Sequence, residues 1–177
     1  MQSNERSRFG EAMLTHLDAA YNLARWLTRD DHAAEDVVQD AYCRALKYYQ
    51  GFRGGPARPW LLRVVRRAAY DWLAKSRLTR SMAAFNEEMH SGQSGYSVEE
   101  QFLKQVDLDM LRASISQLPE PFREVTVLRD IEGLTYQEIA EIVGAPMGTV
   151  MSRLSRARKQ LQQMLITQAN SQVEVEE

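Results

Sequence analysis

The sequence predicts an all-α fold: two small helical domains joined by a flexible linker. Three observations carry this. Apolar residues recur at three- and four-residue spacing along most of the chain, which is the helical period. That pattern dissolves once, between Leu78 and Val106, into Asn, Ser, Gly and Glu. The length of 177 residues suits one domain or two small ones, each burying a modest core. The chain is therefore divided into a domain over 9–80, a linker over 81–106, a domain over 107–166 and an acidic, disordered tail over 167–177.

Taken in order, the first helix runs from Phe9 to Thr28, with Leu14, Leu17, Tyr21, Ala24 and Leu27 on one stripe. Asp30 and Asp31 end it, and either can cap the next helix. That helix, Ala33 to Tyr49, buries Ala34, Val37, Val38, Ala41 and Ala45. From Gly51 to Arg58 the two adjacent glycines Gly54 and Gly55, followed by Pro56, require a loop. Pro59 then suits a first helical position, and a third helix extends to Arg77. It turns Leu61, Val64, Val65, Ala68 and Trp72 toward a core, while the opposite face carries Arg63, Arg66, Arg67, Tyr70 and Arg77.

In the linker, Asn86, Ser91, Gly92, Gln93, Ser94 and Gly95 are flexible residues, and Glu87, Glu88, Glu99 and Glu100 keep it solvated. A short helix over Val98 to Lys104 is compatible with it. The second domain opens near Asp107 with a stripe of Leu108, Leu111, Ile115 and Leu118. Pro119-Glu120-Pro121 starts another helix, through Val125, Leu128 and Ile131, which ends at Gly133. Thr135-Tyr136-Gln137-Glu138 has the capping-box pattern and begins a short helix through Ile139, Ala140 and Val143. Gly144-Ala145-Pro146 breaks the chain before a long helix from Met147 to Leu165.

Composition narrows the function. No apolar run reaches the ~18 residues of a membrane span, and Met1 to Phe9 is polar, so a cytoplasmic location is expected. The lone cysteine, Cys43, lies among Ala41, Tyr42 and Ala45, where a buried structural thiol is expected. His16, His32 and His90 are scattered without ligand spacing, so no metal or other cofactor is expected. There is no phosphate-binding loop, no nucleophile elbow and no apolar pair of carboxylates, which argues against an enzyme.

The 22 basic and 24 acidic residues nearly cancel, to −2, but they are unevenly placed. A short helix, a Gly-containing turn and a second helix form a helix-turn-helix pattern. In its second helix Val150, Leu154, Ala157 and Leu161 make an inward stripe. The other face presents Ser152, Ser155, Arg156 and Lys159, flanked by Thr149, Arg153 and Arg158. From Met147 to Gln162 there are four basic residues and no acid. Arginine and hydroxyl groups there suit base edges in a major groove, and Arg158 and Lys159 suit phosphates. Between Arg44 and Arg80 ten basic residues face one acid, a local balance of +9. Tyr48, Tyr49, Phe52, Trp60, Tyr70 and Trp72 interleave them, the mixture that single-stranded nucleic acid requires. Ahead lies an acidic cluster, Asp30, Asp31, Glu35, Asp36 and Asp40, which complements a helix dipole or offers a surface to a basic protein.

Two stretches resemble a known family. One is Ala34-Glu35-Asp36-Val37-Val38-Gln39-Asp40 with Arg58-Pro59-Trp60-Leu61. The other runs from Leu118-Pro119 and Val127-Leu128-Arg129-Asp130, through Gly133-Leu134-Thr135-Tyr136-Gln137-Glu138-Ile139-Ala140, to Gly148-Thr149-Val150, Ser152-Arg153-Leu154 and Arg156-Ala157-Arg158. In this order they resemble the extracytoplasmic-function sigma factors, the smallest class of the main bacterial sigma family. The resemblance implies region 2 over 9–80 and region 4, with its helix-turn-helix, over 107–166. It implies an alternative initiation factor that binds core RNA polymerase on the clamp helices of the largest subunit, through Asp36, Gln39, Asp40 and Arg44. Phe52, Arg53, Arg58, Trp60, Arg63, Arg66, Arg67 and Tyr70 would open the minus-ten element and hold its non-template strand. Thr149, Ser152, Arg153, Ser155, Arg156, Arg158 and Lys159 would read the minus-thirty-five duplex. An anti-sigma factor is the further partner implied, with release under stress.

Two positions depart from the family pattern: Met151 stands where many members carry Lys or Arg, and Arg67 where many carry Asn. Both bear on promoter sequence. Two alternatives remain at this stage, a sigma-like mimic that sequesters an anti-sigma protein and a stand-alone helix-turn-helix regulator. The first conflicts with the intact basic face of Arg153, Arg156, Arg158 and Lys159. The second leaves the first domain without a purpose.

Overall fold

Eight helices carry the chain in a computed structural model that describes residues 2–52, 54–83 and 102–173. Helices α1 (Gln2–Leu14), α2 (Leu17–Thr28), α3 (Asp31–Lys47) and α4 (Ala57–Ala83) form the first unit. Helices α5 (Phe102–Gln117), α6 (Glu120–Thr126), α7 (Tyr136–Val143) and α8 (Met147–Val173) form the second. No strand occurs among the described residues.

The expected first helix is two. Thr15 Oγ1 donates to the Ala12 carbonyl at 2.7 Å, and the His16 N–H turns back to Met13 at 3.0 Å, which interrupts the helical ladder. The break changes the inward face. Phe9 and Met13 from α1, with Ala20, Leu23, Ala24 and Leu27 from α2, fill the core, while Leu14 and Leu17 are 60% and 42% exposed. The Asp30 carboxylate caps α3 by accepting from the Ala33 N–H at 2.7 Å. Ala34, Val37, Val38, Ala41 and Ala45 are all buried as expected, and their small side chains let α3 lie close to α2 and α4. Cys43, however, is exposed. It sits half a turn from Ala41 and Ala45, so the alanines around it in sequence say nothing about its face.

Gly54 and Gly55 take positive φ, 83° and 99°, in the loop before α4. The helix starts at Ala57, placing Pro59 within its first turn, and buries Leu61, Leu62, Val65, Ala68 and Ala69 completely or nearly so. Val64 and Trp72, expected in the core, pack against its margin. The helix reaches Ala83, past the expected linker start. The remaining linker, 84–101, lies outside the described residues, as do residues 98–101 of the short helix considered there.

In the second unit only Ile115 and Leu118 of the expected α5 stripe are buried; Leu108 and Leu111 are 48% and 37% exposed. Buried Arg123 donates from Nη1 to the carbonyls of Ser116 and Leu118, holding the α5–α6 turn. After α6 the chain widens into a π turn, Val127–Ile131, in which the Glu132 N–H reaches the Val127 carbonyl at 2.9 Å. The extra residue shifts the register: Leu128 stays buried, Ile131 turns out, and Glu132 turns in. Thr135 and Glu138 complete the expected capping box around the start of α7. Gly144 ends α7 at φ 66°, the left-handed cap, and α8 follows. The C-terminal segment expected to be disordered from 167 is helical through Val173.

The two units share one core. Buried residues of α1–α4 and of α5–α8 form a single contiguous cluster, with α4 packed on α7 and α2 on α6.

Candidate nucleic-acid interface

The recognition helix is built as its sequence requires. Val150, Leu154, Ala157 and Leu161 are buried against α6 and α7. Ser152, Ser155, Arg156 and Lys159 are exposed on the opposite side, with Thr149 and Arg153 half-buried at one edge. Among the described residues no carboxylate pairs with Arg156 or Lys159. Arg158 differs. Its Nη2 donates to Asp130 Oδ1 at 2.6 Å and its Nε to Oδ2 at 3.4 Å, and this carboxylate holds its guanidinium above the ordinary arginine range. Met147 and Met151 are about half exposed, which adds apolar area to the same end of the helix.

The basic face of the first unit is divided. Arg63 and Arg67 are exposed and line a groove of about 840 Å³ between α3 and α4, with Trp60, Lys47 and Cys43. Arg58 and Arg66 are committed elsewhere. Arg66 grips Glu124 of α6 through Nε at 2.5 Å and Nη2 at 3.3 Å, and Arg58 donates to Glu132 at 2.5 Å. The Glu124 and Glu132 side chains are 1% and 5% exposed. Burial pushes the Glu124 carboxyl above the ordinary carboxylate range, although Arg66 opposes the shift. The Tyr70 ring lies under the Arg66 guanidinium at 4.6 Å; burial, then the Glu124 charge, push its phenol well above the usual value.

Phe52 and Trp60, expected to meet unstacked bases, contact one another edge-on at 5.4 Å between ring centres. Both also pack on Phe9, at 5.6 Å each. Phe9 anchors this loop from α1, a role that nothing in its own neighbourhood of the sequence signals. Arg53 lies outside the described residues.

On α3, Asp36, Gln39 and Asp40 are exposed along one side. Arg44 is tied between Asp40 at 2.7 Å and Asp71 of α4 at 2.6 Å, so it braces α3 against α4 as much as it faces solvent. The α8 set lies on one face, whereas the other two meet: Asp40 and Arg44 line the same α3–α4 groove as Trp60, Arg63 and Arg67, together with Asp71. No helix among the described residues is long and apolar enough to cross a membrane.

Comparison with known proteins finds the same two units. The family described as Sigma-70 region 2 matches residues 13–79, and that described as Sigma-70, region 4 matches residues 108–161. The ECF RNA polymerase sigma factor SigE of Mycolicibacterium smegmatis is 34% identical over 156 residues, 88% of this chain. The chain spans 60% of that relative's length. The RNA polymerase sigma-H factor of Pseudomonas aeruginosa is 31% identical over 173 residues, covering 93% of this chain and 90% of that one. Among solved structures, the sigma factor RpoE in complex with the anti-sigma factor NepR, from Bartonella quintana, gives a TM-score of 0.70 at 28% identity, over 89% of this chain and 96% of that one.

Proposed function

Because the chain belongs to the extracytoplasmic-function branch of the sigma-70 family, we propose that it binds core RNA polymerase in the cytoplasm and directs it to a specific promoter class. It contributes no catalytic group. Residues 9–80 serve as region 2, 81–106 as the connector and 107–166 as region 4. The observation that carries the reading is the outer face of α8, where Ser152, Ser155, Arg156 and Lys159 stand exposed opposite a fully buried stripe. That face, with Thr149, Arg153 and Arg158, takes the minus-thirty-five duplex.

Arg63, Arg67, Trp60 and Lys47 around the α3–α4 groove take the minus-ten single strand, with Phe52, Arg58, Arg66 and Tyr70 assigned to the same strand; Arg53 joins them on sequence alone. Asp36, Gln39 and Asp40, with Arg44 behind them, take the clamp helices of the largest polymerase subunit. An anti-sigma protein is the third partner, since the solved relative RpoE is held by one.

Run-off transcription on genomic fragments tests the whole reading. Core polymerase with this chain is expected to yield discrete transcripts that core alone does not. Asp40→Arg is expected to reduce polymerase binding while leaving duplex binding by the free chain unchanged. Failure to produce any added transcript would refute the proposal.

A further inference from the structure

The apolar stripe of α8 faces inward: Val150, Leu154 and Leu161 are at most 9% exposed. Met147 and Met151, at the N-terminal end of the same helix, do the opposite and are 51% and 49% exposed. Four residues apart, they stand one above the other on a single face. Ser155, a further four on and also exposed, continues the row. By the helical period this row forms one shoulder of the recognition face. Arg153 and Arg156 form the other shoulder, and Ser152 and Lys159 lie between the two. Gly148 belongs to the same surface, beside the methionines and Ser152. A Cβ there would meet no heavy atom within 4 Å, and its backbone is ordinary α-helix. Neither packing nor a left-handed φ requires glycine at this point, and glycine within a helix costs stability. What it supplies is a flat spot, through which an outside surface can come close to the helix.

A methionine side chain brings no charge for a phosphate and no donor for a base edge. Its apolar area is buried only when something apolar meets it. In a major groove that group is the 5-methyl of thymine, which stands beside the O4 acceptor. We infer that Met151, with Met147 one turn before it, selects thymine in the minus-thirty-five element by covering its 5-methyl group. The inference deepens the assignment of α8 to the upstream duplex and rests on it. Phosphates are alike along the duplex and only some base pairs carry the methyl, so the contact contributes discrimination rather than general affinity.

The test uses core polymerase with the full chain, and upstream duplexes from a promoter recovered by run-off transcription. Each thymine of the minus-thirty-five element, on either strand, is replaced singly by deoxyuridine. This removes the methyl and keeps every hydrogen-bonding group. At least one replacement is expected to weaken binding about fourfold in a fluorescence competition assay, the value of one buried methyl-sized group. Met147→Ala with Met151→Ala is expected to bind the thymine and uracil duplexes equally. Both side chains are exposed, so its urea midpoint should match the parent's. Met151→Leu, apolar and similar in volume, should keep the sensitivity to deoxyuridine. An element without thymine, a flat deoxyuridine series, or sensitivity that survives the double alanine variant overturns methyl readout. Arg156→Ala tells this failure from that of the broader reading. If it weakens upstream binding while the deoxyuridine series is flat, α8 still reads the duplex and only the methyl contact is lost. If Arg156→Ala and the methionine variants all leave upstream binding unchanged, the assignment of α8 fails and methyl readout falls with it.

Discussion

The two basic faces of this protein are alike in composition and opposite in circumstance. On α8, Arg156 and Lys159 stand exposed above a buried apolar stripe, and one neighbour, Arg158, is tethered within its own unit by Asp130. On α4, Arg63 and Arg67 are exposed and pair with no carboxylate among the described residues, whereas Arg58 and Arg66 are held by buried glutamates from the other unit. Charge counted along the sequence treats every arginine alike. Folding divides them into those available to a ligand and those already satisfied, and the second group reports on the relation between the units.

The α8 face depends on the apolar stripe beneath it. Leu154→Ala, deleting a side chain 2% exposed, is expected to lower stability by about 2–5 kcal/mol, read as a fall in the urea midpoint. A smaller effect separates the arginines within α8. Arg156→Ala is expected to weaken minus-thirty-five duplex binding by roughly 1–3 kcal/mol, and Arg158→Ala by less, because Asp130 already competes for that guanidinium. Equal losses from the two, measured by fluorescence anisotropy, would show that the Asp130 tether has no bearing on binding. Thr135→Ala removes the cap that starts the helix-turn-helix and is expected to cost about 1 kcal/mol, again from chemical denaturation.

The smallest effect concerns pH on the covered face. Burial, then the charge of Arg58, hold the His16 imidazole below its ordinary value of 6.5. The folded chain therefore prefers the neutral ring. This contribution is complete above the ordinary value and is lost as pH falls through the depressed one. Melting temperature is expected to decline slightly on acidification, and His16→Gln to flatten that part of the profile.

Much of this was legible in the sequence where a pattern is local. The α8 stripe, the capping box from Thr135 to Glu138 and the Asp30 cap each depend on residues within one or two turns, and the helical period or a cap pattern reveals them. Periodicity failed where a helix changed phase. Thr15 breaks the first helix and turns Leu14 and Leu17 outward, and the π turn turns Ile131 outward and Glu132 inward. It also misplaced Cys43, whose buried neighbours occupy other faces of the same helix. For the site, sequence identified the basic residues of α4 and α8 but not their partners. Arg66 and Glu124 are 58 residues apart and Arg58 and Glu132 are 74 apart, so no local signal links either pair.

In one polymerase complex, α8 is proposed to read an upstream duplex while the α3–α4 groove holds a downstream single strand. Footprinting a promoter selected by the run-off experiment, with core polymerase and each variant, tests it most directly. The unmutated chain should protect the minus-thirty-five duplex and make minus-ten thymines reactive to permanganate. Arg63→Ala with Arg67→Ala should lose permanganate reactivity while keeping upstream protection, and Arg156→Ala should weaken upstream protection first. Loss of upstream protection by the groove variant, with downstream opening intact, would contradict the account.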